Sequence, residues 1–306
     1  MNTTAPAALP DTAPASRPSP AAALELLKPI TWFPPMWAFT CGVVSSGAPI
    51  WEQWPLVVAG ILLAGPLVCA TSQAVNDWFD RHVDAINEPH RPIPSGRIPG
   101  RWGLYIAILW TLLSLAVASA LGTWVFWSAA LGLVLAWAYS APPLRLKRNG
   151  WWGNAAVGLS YEGLAWVTGA AVMIGGALPA WQILALAGLY SLGAHGIMTL
   201  NEFKAIAGDR RMGIRSLPVQ LGPYRAAWVA SVMMAVPQMT VIWLLLDWGR
   251  PVHAAAVGVV LAVQVAMMTR FLRDPVGRAT WYSALGVTVY VTGMMISAFA
   301  VRGMMG

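Results

Sequence analysis

The chain has 306 residues, 58% of them hydrophobic and only 10% charged, with a formal net charge of +7. Soluble domains carry about 25% charged residues, so this composition excludes that class and points to a polytopic helical membrane protein. The strand alternation of an outer-membrane barrel is absent, and the basic excess, followed along the chain, marks topology rather than nucleic-acid binding.

Residues 1–22 are rich in Ala, Pro, Ser and Thr, with neither a basic n-region nor an apolar h-region. They read as a disordered cytoplasmic tail ahead of one polytopic domain over 23–306. Apolar runs of spanning length follow near 31–50, 55–77, 102–121, 123–141, 153–175, 180–202, 226–247, 251–270 and 281–301, which predicts nine transmembrane helices. The N-terminal segment and the loops after the even-numbered helices hold seventeen of the 19 Lys and Arg residues, leaving only Arg250 and Arg302 on the other side. This asymmetry places the N-terminus in the cytoplasm. Cys41 and Cys69 fall inside predicted helices without metal-ligand spacing and read as buried free thiols.

The second predicted helix ends in NDWFDRHVDAINEPHRPIPSGRI, Asn76 to Ile98, which holds Asp77, Asp80, Asp84 and Glu88. The sixth ends in NEFKAIAGDRRMGIRSLPVQLG, Asn201 to Gly222. Asn76-Asp77 matches Asn201-Glu202, Asp84 matches Asp209, and Asp80 meets Ala205. The match predicts a duplicated four-helix unit, helices 1–4 and 5–8, with a ninth added. At about 100° per residue, Asp77, Asp80 and Asp84 project within about 60° of one another if the helix carries on that far. Glu202 and Asp209 form a second stripe by the same geometry.

Carboxylates packed this closely repel one another unless a cation neutralises them. Mg²⁺ takes one or two carboxylates together with waters and substrate phosphate oxygens. The same loops carry Arg81, Arg91, Arg97, Lys204, Arg210 and Arg215, and guanidiniums suit phosphate. Acids for metal beside bases for phosphate predict a clamp for a diphosphate, and the hydrocarbon surroundings make it an isoprenoid diphosphate. Aromatic faces stabilise an allylic cation, which makes Trp137, Tyr139, Tyr161 and Trp166 candidates for the lining. Ordinary packing would also account for any one of them.

The pattern N-D-x-x-D-x-x-x-D at Asn76, Asp77, Asp80 and Asp84, followed by Arg91-Pro92, resembles the first motif of the UbiA superfamily of intramembrane prenyltransferases. The segment from Asp209 through Gly213 to Ser216 resembles its second. DAINEPHRPIPSGRI, AYSAPPLRLKRNGWWGN (Ala138 to Asn154) and GDRRMGIRSLPVQLG are similar to the chlorophyll synthase branch, and the Ala-His-Gly-Ile-Met-Thr-Leu run before Asn201 to its bacteriochlorophyll synthases. Two departures stand out: Ala205 replaces an acid found in many members, and Glu202 replaces an expected Asp.

The resemblance implies a nine-helix bundle around a central cavity and an enzyme of the bacterial inner membrane, cytoplasmic or photosynthetic, with its mouth on the cytoplasmic side. It implies transfer of a geranylgeranyl or phytyl group from the diphosphate to the propionate of a chlorophyllide or bacteriochlorophyllide. Two Mg²⁺ ions would be held by Asp77, Asp80, Asp84, Glu202 and Asp209, with Asn76 and Asn201 in support. The diphosphate would meet Lys28, Arg81, Arg91, Arg145, Lys147, Lys204, Arg210 and Arg215. The implied partners are the two substrates, the bilayer and other proteins of pigment biosynthesis or assembly, with no nucleic acid. A propionate is already ionised near neutral pH, so no catalytic base is nominated. Glu162, at membrane depth, is a functional candidate by default. His195 could ligate the magnesium of a tetrapyrrole, although a hydrogen-bonded core histidine is the plainer reading, and His82 and His90 read as solvated. Three competing readings remain: an aromatic-ring prenyltransferase for quinone or haem, a transporter with internal repeats, and a pigment-binding structural protein.

Overall fold

The computed structural model describes residues 17–305, all helical or loop apart from one isolated bridge. Residues 1–16 of the expected tail lie outside the described ones, and its residues 20–22 open the first helix. Ser19 accepts the Ala22 N–H at 3.2 Å and Pro20 fills the first helical position, so α1 runs Pro20–Leu27. It stops at Lys28, whose φ of 48° is left-handed.

α2 is Phe33–Ser45, and α3 is the continuous Trp54–Asn87, which widens into a π-type turn over Leu63–Cys69 around Pro66. α4 is Trp102–Leu121 and α5 is Thr123–Ser140, hinged at Gly122 with φ 127°. α6 covers 150–173, capped by Asn149 and widened again over Leu159–Leu164. α7 is Trp181–Glu202, and a single tight turn leads to the short α8, Ile206–Met212. Gly213, with φ 66°, ends that helix; α9 is Leu217–Leu221. α10, Pro223–Asp247, α11, Pro251–Arg273, and α12, Pro275–Met305, each open on a proline, where the missing N–H goes unneeded.

α2 and α6 cross at the centre of the bundle at backbone distance. A Cβ on Gly42 would fall 2.0 Å from the Trp166 carbonyl oxygen, and one on Gly169 would fall 2.0 Å from that of Phe39. Small residues at such a crossing let backbones meet. On one side of the crossing pack α3, α4 and α5, and on the other α7, α10, α11 and α12. Between α3, α5, α6 and α7 the bundle leaves a cavity of about 450 Å³.

Seven helical segments are long and apolar enough to cross a membrane: α3, α4, α5, Trp181–Met212, α10, α11 and Pro275–Arg302. Two of the nine runs read from the sequence do not meet that measure. The run at 31–50 is helical only over Phe33–Ser45, because Pro34 and Pro35 fix its start and Gly47, at φ 77°, lies in the turn beyond its end. The run at 153–175 forms α6, which is long enough but is made less apolar by Asn154, Ser160, Tyr161 and Glu162.

Candidate diphosphate site

α3 carries on ten residues past the expected end at 77, so Asp77, Asp80 and Asp84 do share one helix. Each carboxylate is met by a cation delivered from elsewhere in the chain. Lys28, at the left-handed end of α1, places Nζ 2.5 Å from Asp77 Oδ1. Arg91, in the loop after α3, places Nη1 2.9 Å from Asp84 Oδ2 and 3.5 Å from Asp77 Oδ1. Lys147, in the α5–α6 loop, stands 2.5 Å from Asp80 Oδ2, with Arg145 Nη2 3.7 Å from Asp80 Oδ1. Asn76 donates to Ser140 Oγ at 3.2 Å, tying the stripe to the end of α5.

The loop cations carry the electrostatic signature of that enclosure. Burial works against the charge of Arg91, but Asp77 and Asp84 outweigh it and hold its pKa above the ordinary arginine value. Burial pushes the Lys147 amine below the ordinary lysine value, and its attraction to Asp80 offsets only part of the shift.

The second acidic group is built differently. Glu202 Oε2 accepts the Leu217 N–H at 2.9 Å and so braces α9 against the end of α7. The same loop is pinned to the α5–α6 connection by Arg215 N–H to the Arg148 carbonyl and Gly150 N–H to the Arg215 carbonyl, both 2.8 Å. Asp209 is buried on α8 beside Ser216, whereas Lys204, Arg210 and Arg215 have exposed side chains. Arg81 turns back on its own helix, donating to the Trp78 carbonyl at 2.7 Å with its guanidinium 4.1 Å above the Trp78 ring. His82 and His90 are exposed, as read.

Asn76 and Asn201, the leading residues of the two motifs, line one and the same cavity. Tyr139 lines it too, within electrostatic range of Asp80, Glu202 and Asp209 together. Deeper in, Tyr161 Oη is met by Gln73 Nε2 at 3.0 Å, Ser72 Oγ at 3.2 Å and Cys69 Sγ at 3.4 Å. Glu162 is buried on the same wall. Ser72, Gln73 and Ser140 were missed in the sequence, and Cys69 passed for inert; only their place on one face of α3 and α5 beside the motifs could have flagged them. Trp166 is buried in the helix packing, donating to Ser45 Oγ at 3.0 Å, and Trp137 donates to Thr111 Oγ1 at 3.1 Å; neither lines the cavity. His195 is also elsewhere. It lines a separate recess between α6 and α7 with Trp151, whose ring centroid lies 5.7 Å away.

The UbiA prenyltransferase family model matches residues 32–300, nearly all of the described chain. The chain belongs to the UbiA prenyltransferase family. Among curated relatives of this UbiA protein, the bacteriochlorophyll synthase 33 kDa chain of Cereibacter sphaeroides is 60% identical over 95% of this chain and 96% of its own length. The chlorophyll synthase of Oryza sativa is 38% identical over 90% of this chain and 76% of its own. A solved UbiA homolog from Archaeoglobus fulgidus, bound to GPP and Mg²⁺, superposes with a TM-score of 0.69, covering 90% of this chain and 99% of its own at 21% identity. The branch read from the loop text is thus borne out, with the bacteriochlorophyll synthases more similar than the chlorophyll synthases.

Proposed function

We propose that this UbiA enzyme transfers a C20 prenyl group, geranylgeranyl or phytyl, from its diphosphate to the propionate of bacteriochlorophyllide or chlorophyllide. One observation carries the reading: both motifs open onto a single apolar cavity, in a chain 60% identical to a bacteriochlorophyll synthase. The C1–O bond of the prenyl diphosphate breaks, the allylic cation is taken up by a propionate oxygen, and diphosphate leaves. No proton need be removed, so no base is required.

The residues present fit a metal. Asp77 Oδ2 is buried with no hydrogen-bond partner, although its sister oxygen is paired. Among the described residues no three His, Cys, Asp or Glu side chains cluster to hold an ion unaided, which suits Mg²⁺ completed by water and phosphate. Asp77, Asp80, Asp84, Asp209 and Glu202 would hold two ions, with Asn76 and Asn201 in support. Mg²⁺ so bound supplies the charge that neutralises the leaving diphosphate. Lys28, Arg91, Arg145 and Lys147 exchange their carboxylates for phosphate oxygens as the substrate enters. Arg81, Lys204, Arg210 and Arg215 stand further out and draw the anion toward the mouth. Tyr139 and Tyr161 wall the path of the chain.

The two remaining helices, α2 and α6, complete nine crossings in this reading, with 46–53 and its exposed Trp51 carrying α2 to the interface. The order α2 to α5 and α6, α7, α10, α11, with α12 added, fits a duplicated unit whose second helix carries the motif each time. The concentration of Lys and Arg in the loops on one side supports an N-terminus and mouth in the bacterial cytoplasm. The test incubates purified protein with geranylgeranyl diphosphate, Mg²⁺ and either bacteriochlorophyllide or 4-hydroxybenzoate. Esterified pigment is expected; prenylated benzoate alone would keep the clamp and sink the pigment assignment.

A further inference from the structure

The reaction above leaves the one carboxyl of the cavity lining, among the described residues, without a task. Glu162 lies in the wide turn of α6 and is only 6% exposed, with Oε2 lacking any hydrogen-bond partner. It lines the central cavity, and no Lys or Arg among the described residues does so. Its nearest polar neighbour in sequence, Tyr161, is already engaged by Gln73, Ser72 and Cys69. An unpaired carboxylate at membrane depth is costly. A carboxyl that keeps its proton is instead a donor in search of an acceptor.

The bound substrates differ in what they offer. Below its diphosphate the prenyl chain is hydrocarbon and has no acceptor. A magnesium tetrapyrrole carries ketone and ester carbonyls on its rim, which accept and cannot donate. Tyr161, next to Glu162 on α6, marks the depth of this wall relative to the acidic stripe. Cys69, which touches Tyr161, precedes Asp77 by eight residues of α3, or about 12 Å along the axis.

Resting on the pigment reading, we infer that Glu162 positions the acceptor, its carboxyl O–H donating to a rim carbonyl of the macrocycle so that the propionate meets the prenyl C1. A substrate carbonyl left without its donor costs about tenfold in binding. Gln, which also donates and has the same shape, preserves the contact; Leu does not.

The experiment measures KM for bacteriochlorophyllide and for geranylgeranyl diphosphate, and kcat, in the wild type, Glu162→Gln and Glu162→Leu. Expected is an acceptor KM raised about tenfold in Glu162→Leu and within about threefold in Glu162→Gln, with the KM for the diphosphate unchanged in both. An acceptor KM that stays at the wild-type value in Glu162→Leu overturns the inference. So does a Glu162→Gln variant that loses kcat as severely as Glu162→Leu, since that would mark a charge rather than a donor. If Glu162→Leu fails to fold, the Gln variant and a wild-type comparison with the rim ketone replaced by a methylene, which accepts nothing, decide. Equal acceptor KM for ketone and methylene overturns the inference. A wild type that makes no esterified pigment defeats the functional reading instead, so the two failures are distinct.

Discussion

Lys28 Nζ stands 2.5 Å from Asp77 Oδ1 across forty-nine residues of chain. The contact joins the short N-terminal helix to the first acidic motif, and it exists because α1 ends in a left-handed residue that turns its side chain back over α3. With Arg91 also 3.5 Å away, the buried Asp77 carboxylate is held by two basic side chains from outside its own helix, one of its oxygens still unpartnered. Such a group is ready to trade partners when a phosphate and its metal arrive.

Asp77→Asn keeps the shape and removes the charge. The expected loss in kcat is about 100-fold or more, with helical content by circular dichroism unchanged. A variant that turned over at the wild-type rate in steady-state assays would remove Asp77 from the metal set.

How much of this site could be read from the chain depends on the residue. Asp77, Asp80, Asp84, Glu202 and Asp209 were visible because charge at the end of an apolar helix has few structural uses, and two copies at matched spacing have fewer. Arg91 and Lys147 were named for phosphate and do lie at the stripe. What periodicity could not reveal is that each acid already has a cation at hand, since Lys28 and Lys147 reach α3 from loops 49 and 67 residues distant. Arg81 was named for phosphate, and here it rests on its own Trp78 ring and carbonyl, a contact the motif spacing did not reveal. Glu202 was read as a ligand of the second stripe, and the structure adds that the backbone N–H of Leu217 meets one of its oxygens. That contact depends on the loop folding back, which no spacing encodes. The wide turns of α3 and α6 were equally illegible: a π-type turn needs no special residue, and only the cavity beside it shows its purpose.

Lys147 offers a pH test. Burial lowers its pKa below the ordinary lysine value of 10.5, so it sheds its proton earlier than an exposed lysine as pH rises. The diphosphate KM is therefore expected to climb with alkaline pH before an ordinary lysine would titrate. Lys147→Arg, charged throughout that range, moves the climb to higher pH. Coincident KM–pH profiles for the two proteins would dissociate Lys147 from the phosphate.

The α2–α6 crossing can be probed without touching the site. Gly169→Ala drives a methyl to 2.0 Å from the Phe39 carbonyl oxygen, a backbone atom that cannot swing aside. Overpacking of this kind costs about 1–3 kcal/mol or more. Thermal unfolding in detergent should show a clearly lowered midpoint, whereas Gly188→Ala, where an added Cβ meets nothing within 4 Å, should leave it unchanged. Equal midpoints would mean the two helices separate readily.

Removing divalent metal tests the clamp itself. The pairs Lys28–Asp77, Arg91–Asp84 and Lys147–Asp80 neutralise the stripe without any ion, so EDTA should abolish product while leaving the unfolding midpoint in place. Added Mg²⁺ should restore turnover fully. Metal and diphosphate should also bind in a linked fashion: saturating geranylgeranyl diphosphate tightens Mg²⁺ binding measured by calorimetry, because phosphate oxygens draw the cations away from the carboxylates and complete the ion's coordination. Mg²⁺ binding of equal strength with and without the diphosphate would mean that the acids hold the ion alone, and the exchange of partners at Asp77 would be wrong.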